Sequence, residues 1–241
     1  MTALLASALQ RQGLQVGVLD ADVTGPSIPK MFGISGPVSG TPMGIVPIKT
    51  QSGIKVISSN LMLPEEDMAV IWRGPILGNT IKQFWTDVAW GKLDYLLFDL
   101  PPGTSDATLT VMQAMPIDGV VMVTTPQSLS SMVVRKTVNM SQELETPILG
   151  IIENMSYFIA PDTGNKYLIF GPSHSQEIAD LAEAPLLGQL PIDPELSRLA
   201  DAGKIETYED KACAELAQSF IKAVPITEPT HSIPWMKGKI K

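Results

Sequence analysis

The chain has 241 residues, of which 44% are hydrophobic, so it is long enough to bury a sizeable core. Seventeen basic residues against 25 acidic ones give a net charge of -8, which argues against a protein that binds nucleic acid through its overall charge. The only cysteine, Cys213, excludes an internal disulfide, and no apolar run approaches the ~20 residues of a membrane span. We therefore expect a cytoplasmic protein that binds neither nucleic acid nor membrane.

Apolar periodicity and turn residues predict an alternation of helices and strands along the chain. It starts with a helix at residues 2–12, a strand at 15–19, and a hairpin that joins residues 45–48 to 54–58. The later predicted elements are helices at 76–88, 129–144, 175–182, 195–202 and 210–224, and strands at 95–98, 119–125, 148–153 and 185–190.

Strands that alternate with helices predict an α/β fold with one doubly wound, mainly parallel sheet and helices on both faces. We expect a single domain over residues 1–224. Residues 225–241 contain several prolines and lysines, which favours a flexible C-terminal tail.

Two acidic motifs follow predicted strands. Asp20 and Asp22 lie in Leu-Asp-Ala-Asp-Val-Thr-Gly-Pro-Ser, and Asp99 opens Asp-Leu-Pro-Pro-Gly-Thr-Ser-Asp. A lone carboxylate after a strand more often caps the next turn, but the Pro-Pro-Gly turn can present a backbone N–H to a terminal phosphate. Open parallel sheets bind ligands beyond the carboxyl ends of their strands, and Mg²⁺ prefers oxygen ligands. The motifs therefore predict the magnesium and water side of a nucleotide-hydrolysing site.

Six strings resemble the Mrp/ApbC family of iron–sulfur cluster carrier ATPases, a branch of the MinD/ParA-like P-loop proteins. They are residues 19–33, Trp-Arg-Gly-Pro at 72–75, residues 99–106, Thr-Thr-Pro-Gln at 124–127, Glu-Asn-Met-Ser-Tyr at 153–157 and Gly-Gln-Leu-Pro-Ile-Asp at 188–193. The resemblance implies a P-loop NTPase fold, ATP and Mg²⁺ as cofactors, a homodimer, and iron–sulfur recipient proteins as partners.

The resemblance also implies roles at the phosphate side of the site. Asp22 would orient or activate the attacking water, and Asp20 would support magnesium. Asp99 would hold magnesium through water, and Gly103 lies in the turn that would sense the terminal phosphate.

At the base side, the resemblance implies that Asn154 reads the adenine edge. The loop from Pro191 to Asp193 would close over the base. An asparagine after a strand is also typical of an ordinary turn, so both interpretations of Asn154 stay open.

The sequence departs from the family pattern at the phosphate-binding loop. In the family a strand and Gly-Lys-Gly-Gly-Val-Gly-Lys-Ser/Thr precede the helix expected here at residues 2–12, and the 241 residues contain no Gly-x-x-x-x-Gly-Lys-Ser/Thr string. No lysine precedes Thr2, so Thr2 receives no role. We expect an N-terminally truncated chain that lacks the first, central strand and the P-loop, binds little or no ATP, and has reduced stability.

A second departure lies after the Asn-Met-Ser-Tyr string. Family members carry Cys-Pro-x-Cys there, and two such pairs across a dimer could hold a four-iron cluster. Ala160 and Thr163 occupy the two thiol positions, and neither is a soft ligand for iron. Cys213 is expected to be a buried, inert thiol. We therefore expect no cluster site at the family's usual position.

Three functions remain open. The first is an Mrp-type ATPase whose complete form hydrolyses ATP and carries or delivers iron–sulfur clusters. The second is a catalytically inactive interaction protein, or a fragment, that keeps the dimer surface. The third is a MinD/ParA-like positioning ATPase, which the Asp-Ala-Asp-Val-Thr-Gly-Pro-Ser and Asn-Met-Ser-Tyr strings disfavour.

Overall fold

The computed structural model describes residues 1–23, 25–42, 44–62 and 74–226. Most of the predicted tail, from residue 227 onward, lies outside the described residues. No helix within the described ranges is both long and apolar enough to cross a membrane.

The chain divides into two compact units, each with its own sheet. The first unit contains Thr2–Pro116 and Arg198–Tyr208, and the second unit contains Ile117–Ser197 and Glu209–Pro225. The prediction of one domain over residues 1–224 stays a prediction.

The first unit is built around a four-stranded sheet. The strands of this unit are β1 Val16–Asp20, β2 Ser39–Thr41, β3 Gly44–Val46, β4 Ile48–Lys49, β5 Lys55–Ile57 and β6 Tyr95–Asp99. Its helices are α1 Thr2–Arg11, α2 Ile28–Met31, α3 Gly74–Thr86 and α4 Asp106–Ala114, with 3₁₀ turns at Ser59–Met62 and Ile205–Thr207. The sheet order is β4-β5-β1-β6, and β2 and β3 form a separate antiparallel pair.

The core of the first unit lies around β1. This strand pairs in parallel with β5 on one side and with β6 on the other, and all five of its residues are buried. α1 packs against β1 and buries an almost continuous run from Ala3 to Leu9. A strand that is paired on both sides and covered by a helix has no solvent-facing position, which explains its apolar Val-Gly-Val-Leu sequence.

The second unit contains β7 Val120–Thr124, α5 Ser128–Glu143, β8 Ile148–Ile159, β9 Lys166–Tyr167, α6 Ser175–Leu181, β10 Leu186–Pro191 and α8 Lys211–Ala223. The boundary between the units falls within α7 Pro194–Asp201. The strands β10, β8 and β7 form a parallel sheet in that order, with β8 in the centre. The far end of β8 turns back through β9 as an antiparallel hairpin.

These elements confirm the α/β fold with mainly parallel sheets, but the described strands form two larger sheets and the separate pair β2–β3 rather than one sheet. β6 is an outer strand of the first sheet and β7 is an outer strand of the second. β6 has the apolar sequence Tyr-Leu-Leu-Phe, typical of a strand paired on both sides, yet four of its five residues are only half-buried.

Two strand predictions differ from the structure. The hairpin predicted from 45–48 to 54–58 is wrong in its pairing, because Gly44–Val46 pairs with β2 and only Ile48–Lys49 pairs with β5. Pro47 separates the two pairings, since it has no N–H to donate. The strand predicted at 148–153 continues to Ile159, because its end is paired with the short returning strand β9.

Gly33 ends the family-like string at residues 19–33, and its backbone conformation explains the glycine. Its φ is +63°, and a Cβ there would lie 2.6 Å from the carbonyl oxygen of Gly203. Gly36 also has a positive φ, of +93°, but a Cβ there would meet no atom within 4 Å.

We expect Gly33→Ala to destabilise the chain more than Gly36→Ala. Both variants carry the strain of a left-handed residue, about 1–2 kcal/mol, and only Gly33→Ala adds a backbone clash of about 1–3 kcal/mol. Urea unfolding followed by circular dichroism measures both free energies. An equal decrease in the free energy of unfolding in the two variants would show that Gly33 and Gly203 are not in close contact.

Candidate functional site

Two carboxylates lie side by side where β1 and β6 end. The parallel pairing puts Asp20 in register with Asp99, and the backbone N–H of Ala21 donates to the carbonyl of Asp99 at 2.8 Å. The Asp20 side chain is completely buried. The predicted meeting of these two residues at one end of the sheet is therefore observed.

Two hydroxyl groups contact the carboxylate pair. The Oγ1 of Thr2, at the start of α1, donates to Oδ1 of Asp99 at 2.5 Å. The Oγ of Ser58, directly after β5, donates to Oδ2 of Asp20 at 3.0 Å. Oδ1 of Asp20 is buried and has no hydrogen-bond partner within the described part of the chain. One carboxylate oxygen is thus oriented and available for a ligand.

Both carboxyl groups hold protons more tightly than an exposed aspartate does. Burial, together with the charge of Asp99, raises the pKa of Asp20 to about 7, and hydrogen bonds from the Ser58 hydroxyl and from the backbone of Ile28 and Asp22 oppose the shift. Burial also raises the pKa of Asp99, against the hydrogen bond from Thr2. Perturbed carboxyl groups of this kind concentrate at functional sites because the fold alone gains nothing from them.

The oxygen groups fit a hard divalent cation. A buried carboxylate oxygen without a partner, a second carboxylate and a hydroxyl are ligands that Mg²⁺ prefers. Within the described ranges there is no group of three or more His, Cys, Asp or Glu that could hold a metal ion. The protein alone therefore offers few ligands, which suits Mg²⁺ because it keeps several waters and binds through one or two carboxylates plus phosphates.

Asp22 and Gly103 lie in the loops that follow the two strands. Asp22 is half-buried, and its Oδ1 accepts a hydrogen bond from the N–H of Gly25 at 3.2 Å, so it closes a turn. Its charge also contributes to the raised pKa of Asp99. Gly103, between β6 and α4, has a φ of +74°, a conformation that favours glycine. Their predicted roles toward water and phosphate stay predictions.

The residues predicted to bind the base lie in the second unit. Asn154 is half-buried in β8, and its Oδ1 accepts from the N–H of Met155 at 3.0 Å. Pro191 is the last residue of β10. Oδ1 of Asp193 accepts from the N–H of Glu195 at 2.8 Å, at the start of α7. Asn154 and Asp193 thus each make a local turn contact, and their predicted contacts with adenine stay predictions.

Ala160 and Thr163 lie in the turn between β8 and β9. Ala160 donates its N–H to the carbonyl of Asn165 at 3.0 Å and accepts from the N–H of Gly164 at 2.8 Å. Oγ1 of Thr163 accepts from the N–H of Asn165 at 3.3 Å. The turn is closed by backbone groups and a hydroxyl, with no thiol, while Cys213 is buried in α8.

Sequence reasoning missed the two hydroxyl groups that contact the carboxylates. Ser58 follows the buried strand β5, so the rule that selected Asp20 and Asp99 as polar residues after strands could also have selected it. Thr2 received no role, yet the structure places its hydroxyl on Asp99. The sequence feature that could have indicated Thr2 is a hydroxyl residue at the start of the helix that precedes the first acidic strand.

An α/β fold with carboxylates at the ends of neighbouring parallel strands is typical of nucleotide-binding proteins. The family model of the NUBPL iron-transfer P-loop NTPases, within the ParA group, matches residues 1–225. The chain therefore belongs to this family.

Two relatives with curated descriptions share the same name. A protein of Clostridium perfringens is 45% identical over 216 residues, which cover 86% of this chain and 76% of the relative. A protein of Methanocaldococcus jannaschii is 44% identical over 227 residues, which cover 93% of this chain and 78% of the relative. Both are named iron–sulfur cluster carrier protein.

Solved structures give the same classification of the fold. A nucleotide-binding protein from Archaeoglobus fulgidus in complex with ADP is 43% identical, has a TM-score of 0.76, and is matched over 82% of its length and 87% of this chain. The cell division ATPase MinD of Pyrococcus furiosus is 21% identical, has a TM-score of 0.66, and is matched over 91% of its length and 92% of this chain. The second similarity concerns the fold alone.

We expect Asp20→Asn to stabilise the chain above neutral pH when no divalent cation is present. The unfolded carboxyl titrates near pH 4 and the folded one near 7, so between these values only the folded state keeps the proton. The free energy of unfolding of the wild type therefore falls as pH rises from about 4 to about 7 and is level above that. Asp99, whose pKa is also raised, acts in the same direction.

Urea unfolding in EDTA at several pH values checks this expectation. Asp20→Asn should be about 1–3 kcal/mol more stable than the wild type near pH 8, and its stability should depend less on pH between 5 and 7. The exposed Asp118 provides the matched control, because Asp118→Asn makes the same chemical change at the surface. Parallel pH curves for wild type and Asp20→Asn would contradict the assignment of a protonated Asp20.

Proposed function

We propose that this chain provides the magnesium and water side of the ATP site of an iron–sulfur cluster carrier ATPase. The observation that carries the proposal is the buried Asp20–Asp99 pair, held by Thr2 and Ser58, with one oxygen of Asp20 left for a ligand. The names of the relatives support an iron–sulfur cluster as the cargo, and the ADP complex of the Archaeoglobus fulgidus protein supports an adenine nucleotide as the ligand.

Each acidic residue then has a distinct task. Asp20 supports the cation through its free oxygen, while Asp99 holds it through water and is itself oriented by Thr2. Asp22, in the more exposed loop, orients or activates the water that attacks the terminal phosphate. Bound magnesium would neutralise charge that develops on the phosphates during hydrolysis. Gly103 gives the loop after β6 the backbone conformation to approach the terminal phosphate.

The base would be bound by residues of the second unit. Asn154 carries an amide that can hydrogen-bond to the adenine edge, and the loop from Pro191 to Asp193 would close over the ring. Support comes from their positions, since Asn154 directly follows Glu153 in β8 and the loop begins at the last residue of the neighbouring strand β10. Parallel α/β sheets bind nucleotides at this end of their strands.

We also propose that residues 1–241 alone bind ATP weakly. They contain no glycine-rich loop with a lysine, and a triphosphate placed beside three aspartates would meet little compensating positive charge. Among the described strands β6 is apolar and lies at the edge of its sheet, so a strand that carries such a loop would pair with its outer side.

Calorimetric titration with Mg-ATP tests the proposal on two versions of the protein. The 241-residue chain should show no saturable micromolar binding, and a chain extended at its N-terminus by a strand and Gly-Lys-Gly-Gly-Val-Gly-Lys-Ser should show it. In the extended chain, Asp20→Asn should reduce magnesium-dependent hydrolysis at least about tenfold, and Asp118→Asn should not. Micromolar binding by the 241-residue chain, or none by the extended chain, would refute the proposal.

For the cargo, we propose a homodimer in which the turn after β8 is the family's cluster position, here without ligands. Ala160 and Thr163 replace the two thiols of each protomer, and the side chains of that turn offer no soft donor. This observation favours a second candidate function, an interaction protein that keeps the dimer but carries no cluster.

Restoring the thiols discriminates between the two candidates. After anaerobic reconstitution, we expect the wild type to retain no iron and the double variant A160C/T163C to retain about four irons per dimer, with a charge-transfer band near 400 nm. The matched control A160S/T163S offers oxygen in place of sulfur and should retain no iron.

Two results would change the proposal. Iron retained by the wild type would show a cluster site elsewhere in the chain and exclude the second candidate. A dimeric A160C/T163C variant that retains no iron would favour the interaction protein, because the turn would then be unable to hold a cluster even with its thiols.

A further inference from the structure

A buried carboxyl group in the second unit is not used by the site described above. Glu153 of β8 is completely buried, and its side chain contacts three polar residues. Its Oε2 accepts from the hydroxyl of Ser156 and from Nε2 of Gln189, the latter at 2.9 Å. Its Oε1 accepts from the hydroxyl of Ser173 at 2.8 Å. A buried carboxyl group destabilises a fold unless its oxygens accept hydrogen bonds. Here both oxygens of Glu153 accept them.

The first element that Glu153 holds is an irregularity of β8. Glu153 pairs with Gln189, and Tyr157 pairs with Pro191, so β8 uses four residue steps where β10 uses two. The two extra residues, Asn154 and Met155, form a bulge, in which Met155 has a φ of +54°. The hydrogen bond from Ser156 to Glu153 closes the base of this bulge. Bulges commonly re-aim a side chain beside a functional site, and this one presents Asn154.

The second element is the hairpin segment, which we define as residues 156–173. It starts at Ser156 and ends at Ser173, so both of its ends donate a hydrogen bond to the same carboxyl group. Ser173 is held further by Nε2 of Gln189 at 3.0 Å and by the hydroxyl of Ser175 at 2.8 Å, at the start of α6.

Apart from this clamp, the hairpin segment is ordered by the pairing of Tyr157 with Pro191 and by turn hydrogen bonds between residues 160 and 165. β9 pairs with β8 over only two residues, and residues 161–170 are all exposed. The segment nevertheless presents large apolar side chains to solvent, among them Leu168 and Ile169, both more than half exposed. Nζ of Lys166 lies 3.8 Å from the centre of the Tyr157 ring, which adds one contact within the hairpin. An exposed two-residue pairing is weak by itself, so the clamp adds order at the two ends of the segment.

We propose that Glu153 is a positioning residue that couples the Asn154 bulge to the hairpin segment, so that a movement of one is transmitted to the other. Through Ser156 it fixes the direction of the Asn154 amide, and through Ser173 it fixes the returning end of the hairpin. A displacement of Asn154 by a bound base would then reach the hairpin through one carboxyl group. The role of Asn154 toward a base rests on the function proposed above, whereas the clamp rests only on contacts within the second unit.

Hydrogen exchange of the 241-residue chain without nucleotide tests the clamp. Glu153→Gln keeps the size of the side chain but replaces an acceptor with an N–H₂ group that faces donors. We expect amide exchange in residues 154–173 to rise roughly 10- to 100-fold, because the amide keeps only one acceptor oxygen and the hydrogen bond at one end, from Ser156 or from Ser173, is lost. Exchange in the core of β8, at residues 148–152, should stay within about twofold of the wild type.

Two single-hydroxyl variants separate the ends of the clamp. Ser156→Ala should raise exchange mainly in the bulge at residues 154–157, and Ser173→Ala mainly in the returning segment at residues 168–173. Glu177→Gln is the matched control, because Glu177 is exposed and pairs at the surface with Arg135. Unchanged exchange of the hairpin in Glu153→Gln and in Ser173→Ala would overturn the proposal. Should Glu153→Gln unfold the sheet, the two hydroxyl variants decide.

The connection to base recognition is measured on the extended chain. Ser156→Ala should reduce the preference for ATP over GTP roughly tenfold, while the magnesium dependence of hydrolysis, which belongs to the Asp20 site, stays unchanged. Ser173→Ala should leave the preference intact. An unchanged preference in Ser156→Ala refutes the positioning of Asn154. If the extended chain binds no ATP, the proposed function fails, and the exchange results still decide the clamp.

Discussion

The in-register pairing of two parallel strands, β1 and β6, is the constraint on which the acidic site depends. It places Asp20 directly beside Asp99, and burial together with the neighbouring charge makes ionisation of both costly. The hydroxyl groups of Thr2 and Ser58 offset part of this cost but leave one oxygen of Asp20 without a partner. Such an arrangement weakens the fold alone, and under the proposed function a cation bound at Asp20 would offset that cost.

The two units treat a buried carboxyl group in opposite ways. Glu153, like Asp20, is completely buried in a parallel strand, but both of its oxygens accept hydrogen bonds. Asp20 keeps an oxygen that no described side chain fills. A satisfied group rigidifies the elements around it, and an unsatisfied one is ready for a ligand. The difference in hydrogen bonding, rather than in burial or residue type, therefore separates an anchor from a binding position.

The positions of Asp20 and Asp99 could be predicted from the sequence because each is set by the strand that directly precedes it. A short apolar run that ends in an aspartate predicts a strand and the place of its carboxylate, which holds for Asp20 and Asp99, although only the strand of Asp20 is buried along its whole length. The hydroxyl of Ser58 was not predicted, since its distance from Asp20 depends on which strand lies beside β1. The bulge at Asn154 was not predicted either, because nothing in the sequence of β8 reports that β10 uses two residues fewer.

The same distinction between local and distant structure applies to the nucleotide site as a whole. In the proposed function, the aspartates of the magnesium side follow strands that this chain contains. The 241 residues contain no Gly-x-x-x-x-Gly-Lys-Ser/Thr string, so the proposal treats affinity for the cation and affinity for the triphosphate as separable quantities. Because the pKa of Asp20 lies at about 7, protons compete with the cation for this carboxyl group near neutrality. Phosphate oxygens bound beside the cation would supply the missing ligands and draw the aspartates into their ionised form, which couples magnesium binding to nucleotide binding through a single titrating pair.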